Sequence, residues 1–119
     1  MSFQQDYERM IKAGTIQALV IVNINDGSIY WTSGNWEING AELLKVWAEK
    51  QPSVTVQGIK YSVIDITDNR LVATNVQGQG HSVAAKCPTQ PYVFVAYSPA
   101  KIDVREAYTE VAKLANTFK

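Results

Sequence analysis

Between residues 54 and 97 the chain carries five short β-rich runs, Val54–Val56, Ile59–Ile66, Leu71–Val76, His81–Cys87 and Tyr92–Tyr97. They are separated only by turn formers: Gly58, Asp68-Asn69, Gly78 with Gly80, and Pro88 with Pro91. Parallel neighbours need a crossover of about a dozen residues or more, and none of these links is that long. The runs therefore predict an antiparallel meander. Earlier in the chain, Ile16 to Ile24 is apolar on both alternations except at Gln17 and Asn23, the pattern of a central strand covered on both faces. Asn25-Asp26-Gly27 tolerates the positive φ of a tight turn, so Ile29–Thr32 is expected to pair back as the second arm of a hairpin.

Helices flank these strands. Ser2 and Gln5 have capping-box spacing, Phe3, Tyr7, Met10 and Ile11 form one apolar stripe, and Gly14 is placed to end the first helix. Asn39 is the expected cap of a second, short helix over Ala41–Glu49 that buries Leu43, Val46 and Trp47, with Pro52 just beyond it. Asp103 and Glu106 repeat the capping-box spacing, and Val104, Ala107, Tyr108, Val111, Leu114 or Ala115, and Phe118 form the stripe of a closing helix. The order helix, hairpin, helix, several strands, helix reads as α+β, with the terminal helices laid on a sheet that needs cover on both faces. With 119 residues, 46% of them hydrophobic, the whole chain 1–119 is expected to be one domain with a sufficient core and no need of staples.

Charge and hydropathy exclude several classes. Eleven basic and eleven acidic side chains balance overall and no segment makes a basic stripe, so nucleic acid is not an expected partner. The longest apolar runs, Ala18–Val22 and Tyr92–Tyr97, are far shorter than the roughly 18 residues of a membrane span. Asp6 and Glu8 interrupt any signal-peptide pattern, and the lone Cys87 cannot form an internal disulfide, so an intracellular setting is expected.

Few residues offer chemistry. His81 and Cys87, six apart on one expected strand, point to the same side but stand about 20 Å apart, and read as a strand-end histidine and a small buried hydrophobe. One His and one Cys cannot make a zinc site unaided. Gly78-Gln79-Gly80 lies between strands and reads as a turn, not as a dinucleotide fingerprint. Asp65 and Asp68 flank a strand end and read as solvated turn residues. On its residues the chain is a binding module. Trp36, in the loop before the second helix, would mark a further contact if exposed.

Several stretches resemble profilin, the small actin-monomer-binding family, in order and spacing over nearly the whole chain. Ser2-Phe3-Gln4 with Tyr7 is similar to the family's opening Ser-Trp-Gln and nearby Tyr. Ser28-Ile29-Tyr30 with Thr32-Ser33 resembles its second strand. Gly58-Ile59-Lys60-Tyr61-Ser62-Val63-Ile64 is the most specific match, and Ala96-Tyr97-Ser98-Pro99, Glu106-Ala107, Val111 and Leu114-Ala115 continue the likeness. Short length, spare loops and fewer basic contacts resemble the divergent archaeal profilins.

The resemblance implies terminal helices on one face of the sheet and the shorter helix on the other. It implies a cytoplasmic, cytoskeleton-associated monomer, without catalysis or cofactor, that holds an actin monomer. The matching contact positions are Lys60, Asp65, Asn75, Lys101, Arg105, Tyr108 and Thr109. Asp65 and Asn75 stand where many members carry Arg, so charge pairing with actin's acidic surface should be lost or reversed there, and phosphoinositide binding should be weak or absent. A second site, for proline-rich segments, is implied at Phe3, Tyr7, Tyr30 or Trp31, and Phe118. Phe3 lacks the indole donor of the usual Trp, Tyr7 sits one residue late, and Lys113 is near the place where some members have His.

Two other classes fit the same order of elements. A roadblock- or longin-type module would bind a small GTPase or form a tight homodimer. A ligand sensor or small hydrolase would gather polar groups around His81 in a pocket.

Overall fold

A computed structural model describes residues 3–34, 36–88 and 90–117, with only the backbone of residues 3, 4 and 117. The elements are α1 (Phe3–Ala13), β1 (Ala18–Asn23), β2 (Ile29–Thr32), α2 (Gly40–Ala48), β3 (Ser53–Val56), β4 (Ile59–Ile66), β5 (Arg70–Thr74), β6 (His81–Lys86), β7 (Tyr92–Ser98) and α3 (Val104–Thr117). All seven strands join one sheet in the order β2-β1-β7-β6-β5-β4-β3, and every pairing is antiparallel. The meander expected from the short links is β3 to β7, and β1 inserts between β7 and β2.

The central strands bury both alternations, so they split their side chains between two cores. Leu19, Ile21, Val83, Ala85, Phe94 and Ala96 face Met10 of α1 and Ala107, Val111, Leu114 and Ala115 of α3. Val20, Val22, Ala84, Val93 and Val95 face the other way, onto Leu43, Val46 and Trp47 of α2. The terminal helices thus cover one face and the short helix the other, as the α+β reading with its family resemblance implies. Trp36 is only 6% exposed and packs into the α2-side core, against the ring of Tyr97, so it is structural and not a free contact.

Local signals explain the helix ends. Gly14 takes φ +79°, its amide donates to the Ile11 carbonyl, and the Thr15 amide donates to that of Met10, which closes α1 as a Schellman turn. Asn39 caps α2 by accepting the Glu42 amide at 3.0 Å. At α3 the Asp103 carboxylate accepts the Arg105 amide at 2.8 Å. The Ser2 half of the first capping box lies outside the described residues.

Two glycines let the β1–β2 turn lie against the start of α2. A Cβ on Gly40 would collide with the Gly27 carbonyl oxygen, and one on Gly27 would sit 2.8 Å from the backbone of Ala41. The turn itself is held by Asp26, whose carboxylate accepts the Ser28 amide and hydroxyl. These bonds, backbone first, lower its pKa below 3.8. A depressed carboxylate contributes stability above its unfolded pKa and loses it as pH falls through the folded value, so the turn should hold at neutral pH and loosen as the carboxylate is protonated.

Three stability measurements by urea titration follow from this packing. Gly40→Ala should cost about 1–3 kcal/mol, because backbone and not a flexible side chain stands in the way. Trp47→Phe should cost about 1–3 kcal/mol, since it removes the indole N–H that donates to the Thr67 carbonyl at 2.6 Å and leaves that carbonyl only the long 3.4 Å bond from the Arg70 amide. Tyr61→Phe should be neutral or stabilising, since its hydroxyl is fully buried with no hydrogen-bond partner among the described residues.

Candidate functional site

The main groove lies between the outer strands β4 and β5 and the first turns of α3. Its volume is about 590 Å³, and its lining is Ile64, Asp65, Arg70, Val72, Arg105, Tyr108 and Thr109. A β-bulge builds its sheet wall. Val63 lies opposite Ala73 and Asp65 opposite Val72, so Ile64 is an extra residue in β4. Before it, Tyr61 and Val63 face the α2-side core; without it strict alternation would send Asp65 the same way. The bulge instead turns Ile64 and Asp65 together into the groove and returns Ile66 to the α2 side.

Charge in the groove is arranged, not scattered. The Asp65 carboxylate lies 2.7 Å from Nε of Arg70, an ion-pair contact in which the N–H is not aimed along the line. The Arg70 guanidinium also stands 5.7 Å from the centre of the Tyr108 ring. Arg105 is exposed on the helical side, and Thr109 donates its hydroxyl back to the Arg105 carbonyl at 2.8 Å. Ile64, 55% exposed, offers apolar surface beside buried Val72.

Of the seven positions implied for actin, Asp65, Arg105, Tyr108 and Thr109 converge on this groove. Lys60 is exposed further along β4, and Lys101 is exposed in the turn before α3. Asn75 sits in the β5–β6 turn with its side chain engaged there: Nδ2 donates to the Lys60 carbonyl, while Oδ1 accepts the Gln77 and Gln79 amides. Arg70 and Ile64 were not singled out by the sequence. Arg70 lies just before the expected start of its strand, and Ile64 reads as an ordinary core alternation until the bulge is known.

A second cluster gathers aromatic rings where α1 meets β2. Tyr7 meets Trp31 edge to face at 5.1 Å, and Tyr30 stacks on Tyr92 at 4.5 Å. Here too a bulge is responsible. Val22 opposes Ile29 and Ile21 opposes Trp31, which leaves Tyr30 as the extra residue and brings it beside Trp31. Tyr92 is the member that sequence reasoning missed; its strand alternation, with Val93 facing α2, is the signal that places it on the α1 side. Phe118 and the Phe3 side chain lie outside the described residues.

The remaining candidates have structural occupations. His81 is 9% exposed; Nε2 is 2.7 Å from the Ile102 carbonyl, which can only accept, so that nitrogen carries the proton, and Nδ1 pairs with the Thr74 hydroxyl at 2.8 Å. It ties the turn before α3 to the sheet. Cys87 is buried. Asp68 pairs with Lys50 at 3.2 Å, away from Asp65, so the two carboxylates form no unit. No helix is long and apolar enough to cross a membrane among the described residues.

Fold and groove together describe a small sheet-and-helix recognition domain. A sequence model of the Profilin family matches residues 1–119, and the chain belongs to that family. It is 38% identical over 115 residues to Odin profilin of Odinarchaeota yellowstonii, covering 97% of this chain and 94% of that one. It is 34% identical over 121 residues to Heimdall profilin of Heimdallarchaeota archaeon, covering 100% and 99%. Among solved structures, Loki profilin 2 in complex with rabbit actin superposes with a TM-score of 0.78 at 23% identity over 97% of this chain and 95% of that one. Acanthamoeba castellanii profilin IB gives a TM-score of 0.78 at 18% identity, covering 97% and 94%. The roadblock or longin alternative gains no support from these matches.

His81→Ala should lower stability by about 1–3 kcal/mol in a thermal or urea melt, because it orphans two part-buried hydrogen-bonding groups. It should leave ligand binding at the groove within twofold of the unaltered protein, which titration of the same binding partner would check.

Proposed function

We propose that this profilin captures an actin monomer in the groove between β4–β5 and the start of α3, acting by binding alone. The observation that carries the reading is the convergence of Asp65, Arg105, Tyr108 and Thr109, positions matched to the family's actin surface, on one preformed groove. Its support is family membership together with the shared fold of Loki profilins solved in complex with rabbit actin. Stoichiometric capture of this kind covers one end of the monomer, suppresses spontaneous nucleation and leaves the other end free to join a filament. Such a protein works in the cytoplasm as a monomer, and its balanced charge gives phosphoinositide headgroups little to hold.

A second reading is favoured by the Tyr7, Trp31, Tyr30 and Tyr92 rings, which offer flat apolar faces of the kind that stack on pyrrolidines. A proline-rich segment lying there would leave the actin groove free, since the two sites use different ends of the sheet: β2 with β1, and β4 with β5.

In a fluorescent-actin polymerisation assay, increasing protein should lengthen the lag, and Arg105→Glu should weaken capture by tenfold or more, about 1.4 kcal/mol. No effect on rabbit or archaeal actin would contradict the reading. Calorimetric titration with a proline decamer should give binding that Trp31→Ala abolishes; heat that is unchanged by that substitution would remove the aromatic site.

A further inference from the structure

We propose that Arg70 is the groove's receptor for an acidic side chain of the actin partner, and that Asp65 and Tyr108 act as its positioning residues. This rests on the actin-binding reading and assigns the chemistry at its centre. Asp65 holds the guanidinium at Nε, which is itself buried, while the side chain as a whole is 40% exposed. Tyr108 lies beneath the guanidinium with its ring centre 5.7 Å away. Neither terminal nitrogen of Arg70 has a hydrogen-bond partner among the described residues, and those two nitrogens carry four of the guanidinium's five N–H donors. The group is therefore anchored at Nε by an ion pair without a hydrogen bond, and its terminal donors are unmet as well, on the wall of an open groove.

That geometry suits a carboxylate, which accepts two parallel N–H bonds from such a fork. Because Asp65 and Tyr108 already restrict the rotamers of Arg70, less ordering is left to be done on binding. The lining has two cations, Arg70 and Arg105, against one anion, Asp65, so an acidic side chain meets net positive charge there. Asp65, read alone, would repel the same partner; read with Arg70, its charge is spent on holding a cation one strand away. Beside the fork, exposed Ile64 and buried Val72 offer an apolar surface to the residue that carries or flanks the carboxylate.

The test is a set of affinities for rabbit actin and for an archaeal actin, at low and high salt, with thermal melts to establish that each variant is folded. Arg70→Ala should weaken binding tenfold or more and flatten its salt dependence. Arg70→Lys should fall between, because it keeps charge but loses the fork. Asp65→Asn should weaken binding several-fold in the unaltered background and change it little in the Arg70→Ala background, the coupling expected of a positioning residue. If Arg70→Ala binds within twofold of the unaltered protein while Arg105→Glu abolishes binding, capture stands and the receptor assignment falls. If Asp65→Asn tightens binding in both backgrounds, Asp65 is a repelling contact and not a positioning residue. If the unaltered protein binds neither actin, the capture reading falls and this assignment with it.

Discussion

Burial of the central strands on both faces is the constraint on which the rest depends. β1, β6 and β7 carry apolar side chains on each alternation, so neither a bare sheet face nor a single covering layer would keep them from water. Covering one face takes α1 and α3 side by side, and covering the other takes α2 together with the loop that carries Trp36. α3 is placed by Ala107, Val111, Leu114 and Ala115 against Val83, Ala85, Phe94 and Ala96, where small residues on both sides allow close approach. Its opposite edge, with Arg105 and Thr109, is then left beside the outer strands, and the groove is the space between them.

The outer strands are less regular than the inner ones, and their irregularity shapes both the groove and the aromatic cluster. One extra residue in β4 turns Ile64 and Asp65 toward α3, and one extra residue in β2 sets Tyr30 beside Trp31. In each pair the extra residue falls on the less buried strand, β2 or β4, and not on β1 or β5, where a shift of register would send an apolar set into the wrong core. The sheet is regular where it is buried on both faces and irregular at the groove and at the aromatic cluster. His81 fastens the turn before α3 to the sheet, a contribution to stability and not to the groove itself.

Much of this is legible in the sequence for physical reasons that act over short distances. Gly14, Asn39 and Asp103 mark helix ends because their own side chain or φ angle satisfies the terminal backbone groups. Short links force antiparallel neighbours, and double-sided apolar runs force two layers. Bulges escape such reading, since they depend on how a strand registers with a partner that is not yet known. Asp65 reads as a solvated turn carboxylate until Ile64 is seen to be the extra residue, and Arg70 reads as the edge of a turn until it is found over Tyr108. Asn75, matched to a contact position by resemblance, has its amide engaged in the β5–β6 turn, a cost visible only once Lys60 is known to lie across from it.

On the reading proposed above, one groove, framed by β4, β5 and the first turns of α3, holds actin. Amide hydrogen exchange of the protein with and without excess actin tests it most directly, because it reports the covered backbone without altering any side chain. Slowed exchange across residues 60–72 and 101–109, with β2 and α2 unchanged, is the predicted result. Protection confined to β2 and α1, or spread evenly over the chain, would contradict it.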